Sequence, residues 1–142
     1  RAIAATSEER RNYRKRQGIP HEEIWCVFDD DERPEAHEAV ERAEREGIKV
    51  AFSSPYVELW FVLHFEQHGG WVSGDQIQRR SLELLGCKKN LTEAALDMLC
   101  DRYGEARHRA QQLTAANAEA GLGPHGNPSS SLWKLIDSLR RV

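Results

Sequence analysis

Two short apolar runs, residues 24–28 (IWCVF) and 48–52 (IKVAF), flank a stretch with helical periodicity. The whole pattern fits in about thirty residues, the length of one strand–helix–strand unit. Pro34 suits the opening of the helix, because its missing N–H costs nothing in a first turn. Ala36, Ala39, Val40 and Ala43 follow at i, i+3, i+4 and i+7, one narrow apolar stripe, and Gly47 supplies the stop. A unit of this kind requires a parallel strand pair with a right-handed crossover, so the fold class is α/β. The run 24–28, apolar at every position, predicts a strand covered on both faces.

The rest of the chain extends this core with helices. Ser54 is placed to cap a helix over 56–65 with Pro55 at its first position. That helix is apolar on nearly every side and should be buried. Residues 66–75 read as a loop, with the character of a lid. Helices follow over 76–85 and 92–120, the second carrying Ala95, Met98, Leu99, Tyr103, Ala106, Ala110 and Leu113 on one face, with Gly104 as a point of interruption. A glycine-rich turn (GLGPHGNP) leads to a last helix with a buried stripe of Leu132, Leu135, Ile136 and Leu139. One domain is expected over 1–142, with an α/β core over 1–65 and a mainly helical extension over 66–142; 142 residues suffice for one core.

No apolar run approaches bilayer length, and the first residues lack the apolar stretch of a signal peptide. The three cysteines are widely spaced with no C-x-x-C pair, which points to a reducing cytoplasm; Cys26 and Cys100 read as core residues. Charge is unevenly placed. Residues 1–17 hold six Lys/Arg against two Glu, and residues 21–46 hold eleven Asp/Glu against three Arg. A polar helix over 7–17 would present Arg10, Arg11, Arg14, Lys15 and Arg16 either to phosphates or to a partner, or simply to solvent.

The acidic string Asp29-Asp30-Asp31-Glu32 follows directly on the first strand. Open α/β sheets bind ligands beyond the carboxyl ends of their strands. If the extended backbone persists, Asp29 and Asp31 project to one side and Asp30 to the other. Crowded carboxylates repel unless a proton or a divalent cation neutralises them, and hard oxygen ligands select Mg²⁺ or Mn²⁺. The same acids would also suit a helix N-terminus ahead of Pro34. The motif departs from haloacid-dehalogenase phosphatases at Arg33, lacks the long nucleotide-binding half of glycosyltransferases, and lacks the separate phosphoacceptor strand of response-regulator receivers.

A second cluster surrounds Glu58, a carboxylate in the first turn of an apolar helix that needs either a partner or a free helical N–H. His64 and His68 stand four apart around Glu66, although the pattern is not H-E-x-x-H; His64 alone is a candidate proton donor or phosphate contact. Asn127-Pro128-Ser129-Ser130 is placed to cap the last helix, where free N–H groups would receive an anion.

Taken together, IWCVFDDDERP, GIKVAFSSPYVELWFVLHFE and NPSSSLWKL resemble the RloB-like family, bacterial proteins with a Toprim-like fold associated with antiphage abortive-infection systems beside an AAA-type ATPase. The resemblance runs from about residue 22 to the C-terminus. It implies a Toprim-like parallel core and a nuclease acting on DNA or RNA, with Asp29 and Asp31 holding Mg²⁺ and Glu58 in the same site. Ser54, Asn127, Ser129, Arg11, Arg14 and Lys15 are then the candidate substrate and phosphate contacts, and Asp29, Asp31, Glu58 and His64 the candidate catalytic set. Two departures stand out: Ser53-Ser54-Pro55 replaces the usual S-N-P, and no strand ending in a catalytic Glu precedes residue 7. The second leads to the expectation that an N-terminal segment is absent and cleavage correspondingly weak. Alternatives are a non-catalytic module docking on the ATPase and an enzyme acting on a nucleotide-linked small molecule.

Overall fold

The computed structural model describes residues 23–88 and 90–141, together with Glu9 and Asn12. The helix expected over 7–17, with Arg10, Arg11, Arg14, Lys15 and Arg16, lies outside the described residues apart from Glu9 and Asn12. In chain order the elements are β1 (Trp25–Asp29), α1 (Glu35–Arg45), β2 (Lys49–Ser54), α2 (Glu58–Leu63), α3 (Gly74–Leu85), α4 (Glu93–Asp101), α5 (Tyr103–Glu119), β3 (Ser129–Ser130) and α6 (Leu132–Arg140). The fold is α/β, built on a mixed sheet of order β1-β2-β3.

The strand–helix–strand unit forms as its periodicity demands. β1 and β2 run parallel from Trp25 opposite Lys49 to Asp29 opposite Ser53. Acids in the first turn of α1 (Glu35, Glu38) and bases in its last (Arg42, Arg45) complement the helix dipole. Gly47, at φ 72°, turns the chain into β2. Cys26, Val40, Ala43, Ile48, Val50 and Phe52 form the core between α1 and the sheet.

Coverage of the two strands differs from expectation. β2 is central and buried from Val50 to Ser54, but β1 is an edge strand of the described sheet, with Val27 half exposed. A five-residue apolar run does not reveal how many of its faces are covered. The second neighbour of β2 is β3, a two-residue antiparallel strand pairing Ser130 with Ser53 and Ser129 with Ser54. Ser131 extends this contact, its Oγ accepting the Phe52 N–H and its N–H meeting the Phe52 carbonyl.

The second core joins α2, α3 and α5 through Leu59, Trp60, Val62, Leu63, Ile77, Tyr103, Ala106, Ala110 and Leu113. α2 is buried as predicted, although it is shorter, and Pro55 lies three residues before its first residue. The 92–120 stretch breaks into α4 and α5 at Arg102, beside Gly104. Two expectations fail at the surface. Cys100 is exposed, and α6 has no fully buried residue, with Leu139 64% exposed. No helix of the described residues is long and apolar enough to cross a membrane.

Candidate functional site

The acidic string is a tight turn stitched to the end of β2. Asp30 donates its N–H to the Ser53 carbonyl and Asp31 to the Pro55 carbonyl, each at 3.1 Å, and Arg33 closes the turn on the Asp30 carbonyl at 2.7 Å. Asp31 and Glu32 take positive φ values of 50° and 54°. Left-handed non-glycine residues cost on the order of 1–3 kcal/mol each, so surrounding bonds must hold them. Asp30 does much of this. It is buried, one carboxylate oxygen accepts the Glu32 N–H at 2.8 Å, and the other accepts the Ser54 hydroxyl. The extended backbone assumed from the sequence therefore ends at Asp29, and the three aspartates divide by a different route: Asp30 turns inward as scaffold, while Asp29 and Asp31 face one cleft.

That cleft, about 450 Å³, is lined by Asp29, Asp31, Tyr56, Val57, Glu58, Phe61 and Gln78. Asp29 accepts the Val57 N–H at 3.1 Å through Oδ2. Burial pushes its carboxyl above the usual range; the Val57 N–H opposes this, and the charges of Asp31 and Asp30 add to it. Asp31 pairs with Arg33 at 3.3 Å, an exposed contact of little energetic weight. The Asp31 carboxylate beside the Tyr56 hydroxyl, together with burial and the charges of Glu32 and Asp29, pushes the phenol up to about 12. Glu58 is only 9% exposed, yet its carboxylate has no hydrogen bond or ion pair among the described residues. The helix start that a first-turn Glu would cap is served instead by Asp29.

Two residues that sequence reasoning passed over shape the same place. Glu32 accepts the Gly74 N–H at 2.6 Å, tying the turn to the head of α3. Gly74 must lack a side chain, since a Cβ there would stand 2.0 Å from Tyr56 Cε2 and 2.3 Å from Glu32 Oε1. The helix begins at Gly74, two residues before the expected start, behind a reciprocal capping box of Ser73 and Gln76.

The remaining candidates lie elsewhere. His64 is buried, its Nδ1 2.7 Å from the Trp60 carbonyl and its ring edge-on to Trp60; burial lowers its pKa. α2 ends before His64 and His68 sits in the following loop, so the two histidines do not share a helical face. Ser54 is buried against Asp30, and Ser129 is buried opposite Ser54 in β3. Asn127 engages Val72 with both ends of its amide, accepting its N–H at 3.1 Å and donating to its carbonyl at 2.8 Å. The loop expected as a lid is thereby pinned, and Arg80 holds its start through two bonds to Glu66. Of the sequence candidates, the cleft gathers Asp29, Asp31 and Glu58; His64, Ser54, Asn127 and Ser129 do not line it.

Among the described residues no three His, Cys, Asp or Glu side chains stand as a ready-made metal cage. Magnesium commonly takes only one or two carboxylates, completing its shell with water and substrate phosphate. Asp29 and Asp31 fit that share, since both line one cleft and burial with the neighbouring acids already penalises the charge on Asp29.

Past Glu58 a larger cavity of about 890 Å³ opens, sharing Glu58 and Gln78 with the acidic cleft. Asp75, Arg79, Ser81, Leu82, Cys87, Lys88 and Asn90 complete its walls. No curated protein and no solved structure is significantly similar to the chain. The family comparison reaches further than the three motifs did: residues 2–139 match the model for RloB-like protein, and the chain belongs to the RloB-like family.

Proposed function

We propose that this chain is the nuclease effector of a bacterial antiphage system, with Mg²⁺ or Mn²⁺ held by Asp29 and Asp31 on a Toprim-like core, working in the cytoplasm beside an AAA-type ATPase. One observation carries the proposal. Asp29 and Asp31, from the end of one parallel strand, and Glu58, from the helix after its neighbour, converge on a single cleft. Glu58 supports it, since its carboxylate has no hydrogen bond or ion pair among the described residues and lines the cleft, where a ligand can reach it.

A divalent ion in such a place polarises a phosphoryl oxygen and lowers the pKa of bound water. The protein's own groups do the positioning. The Val57 N–H orients Asp29, the Tyr56 hydroxyl stands beside Asp31, and Asp30 with Ser54 holds the turn that separates them. Glu58, with no hydrogen bond or ion pair among the described residues, offers an acceptor to a water or a substrate hydroxyl at the same cleft.

The test combines Mn²⁺ calorimetry with cleavage of labelled DNA and RNA, with and without the ATPase. The double variant Asp29→Ala with Asp31→Ala should lose metal affinity and cleavage by about a hundredfold or more, beyond what outer-shell partners of a metal contribute. Unchanged Mn²⁺ affinity would reject the metal assignment. Co-purification with the ATPase, without metal-dependent cleavage, would make the chain a docking module instead.

A further inference from the structure

The two arginines at the middle of α3 have opposite fates. Arg80 is bound by Glu66 at 2.7 and 2.8 Å and by Glu83 at 2.8 Å. Arg79 is exposed on the wall of the 890 Å³ cavity and has no ion-pair partner among the described residues. Lys88, on the same wall just past the helix, is likewise exposed and unpaired among the described residues. Two cations with no ion-pair partner among the described residues thus line, with Asp75, a space that Glu58 also bounds. The volume is within the range of about 300–1,000 Å³ typical of small-ligand sites, and the cavity continues into the acidic cleft through Glu58 and Gln78.

We infer that this cavity seats the nucleotide adjoining the phosphodiester addressed at the acidic cleft, with Arg79 and Lys88 on its phosphate. The inference rests on the nuclease proposal for its choice of polymer, but its own evidence is the cation pair and the cavity. Asp29 and Asp31 line the cleft while Arg79 and Lys88, alongside Asp75, line the cavity it opens into, so one phosphate can meet a metal while the next meets side chains. Leu82 and Cys87 give the sugar or base an apolar wall, and the Asn90 amide adds a polar contact. A free nucleotide would satisfy the same cations without needing the groove to continue to Asp29 and Asp31.

The experiment is fluorescence anisotropy of a short single-stranded DNA and its RNA counterpart with EDTA, across a salt series. It compares the wild-type protein with Arg79→Gln plus Lys88→Gln, whose fold is checked by thermal melting. Affinity should fall at least tenfold, and the slope of log K against log salt should weaken by about 1.4, the share of two phosphate contacts on a single strand. Mn²⁺ affinity should not change. Equal affinity and slope in the variant would overturn the inference, as would no binding by the wild type. A nucleoside monophosphate bound as tightly as the oligonucleotide would overturn the assignment to a strand. Binding that depends on Arg79 and Lys88, but with no metal-dependent cleavage by the wild type, would uphold this site while removing the nuclease proposal.

Discussion

Asp29, the last residue of β1, accepts the Val57 N–H at the head of α2 across 3.1 Å. One carboxylate therefore joins two elements and faces the cleft, and its two duties separate by substitution. Asparagine retains a side-chain oxygen for Val57 and loses the charge; alanine loses both. Asp29→Asn and Asp29→Ala should each weaken Mn²⁺ binding at least tenfold in calorimetry. Urea melts should place Asp29→Ala about 1 kcal/mol below Asp29→Asn, the usual worth of a cap. Two variants of equal stability would mean that the bond to Val57 holds nothing.

The raised carboxyl of Asp29 has a signed consequence. Its folded form holds a proton more tightly than the unfolded chain, with burial the leading cause. Its contribution is fully present below the unfolded value of 3.8 and is lost as pH rises through the folded value. Without metal, wild type should lose stability relative to Asp29→Asn as pH climbs from about 3 to about 7. Added Mn²⁺ should reverse that loss. The difference between proteins is the observable, because Glu66, held low by Arg80, pushes the absolute curve the other way. A flat difference curve would show that Asp29 ionises in the fold without penalty.

Gly74 is where α3 comes closest to the acidic turn. A methyl group there overlaps Tyr56 and Glu32, and Glu32 cannot retreat without breaking its bond to the Gly74 N–H. Gly74→Ala should cost about 1–3 kcal/mol, the usual range for overpacking, and should lower Mn²⁺ affinity as Tyr56 is displaced. Tyr56→Phe supplies the comparison, removing the hydroxyl but not the ring. Normal stability and metal affinity in Gly74→Ala would show that the contact relaxes freely.

Periodicity made the β1–α1–β2 unit legible, because spacings of two and 3.6 are properties of local backbone. The division of labour among the aspartates was only half legible. Counting alternate residues placed Asp29 and Asp31 together, but the positive φ of Asp31 and Glu32 is what does so, and Asp30 is drawn inward by Ser54, which is remote in sequence. β3 could not be read at all. Two serines carry no strand signal, and their pairing depends on Ser53 and Ser54 some 77 residues earlier. Arg79 and Lys88 look like ordinary solvated charges until α3 is placed against Glu58. The half-exposed Val27 and the exposed Leu139 share a cause, since apolar identity does not say whether a neighbour arrives to cover it.

Asn127 was expected at a phosphate, but its amide is matched to the backbone of Val72 on both sides. Asn127→Ala leaves a partly buried N–H and carbonyl to find other partners. It should destabilise the protein by about 1–3 kcal/mol in a denaturant melt. Protease cutting within residues 66–73 should speed up, because the amide pins that loop. Oligonucleotide affinity measured against salt should keep its slope. A weakened slope with normal stability would return Asn127 to the phosphate-binding set.

His64 provides a test of the opposite sign from Asp29. Nδ1 is the donor in its bond to Trp60, since a carbonyl only accepts, and burial holds the imidazole below its ordinary value of 6.5. The neutral form belongs to the fold, so the contribution is present above the unfolded value and is lost as pH falls through the folded one. His64→Gln, which does not titrate, should therefore become progressively more stable relative to wild type between about pH 7 and pH 5, by at most about 1.4 kcal/mol per pH unit. His125 is shifted the same way, chiefly by burial, and cancels in the comparison. Mn²⁺ affinity at neutral pH should be the same in both proteins, because His64 does not line the acidic cleft. A stability difference that is independent of pH, accompanied by loss of metal-dependent cleavage, would instead make His64 a proton donor to the substrate.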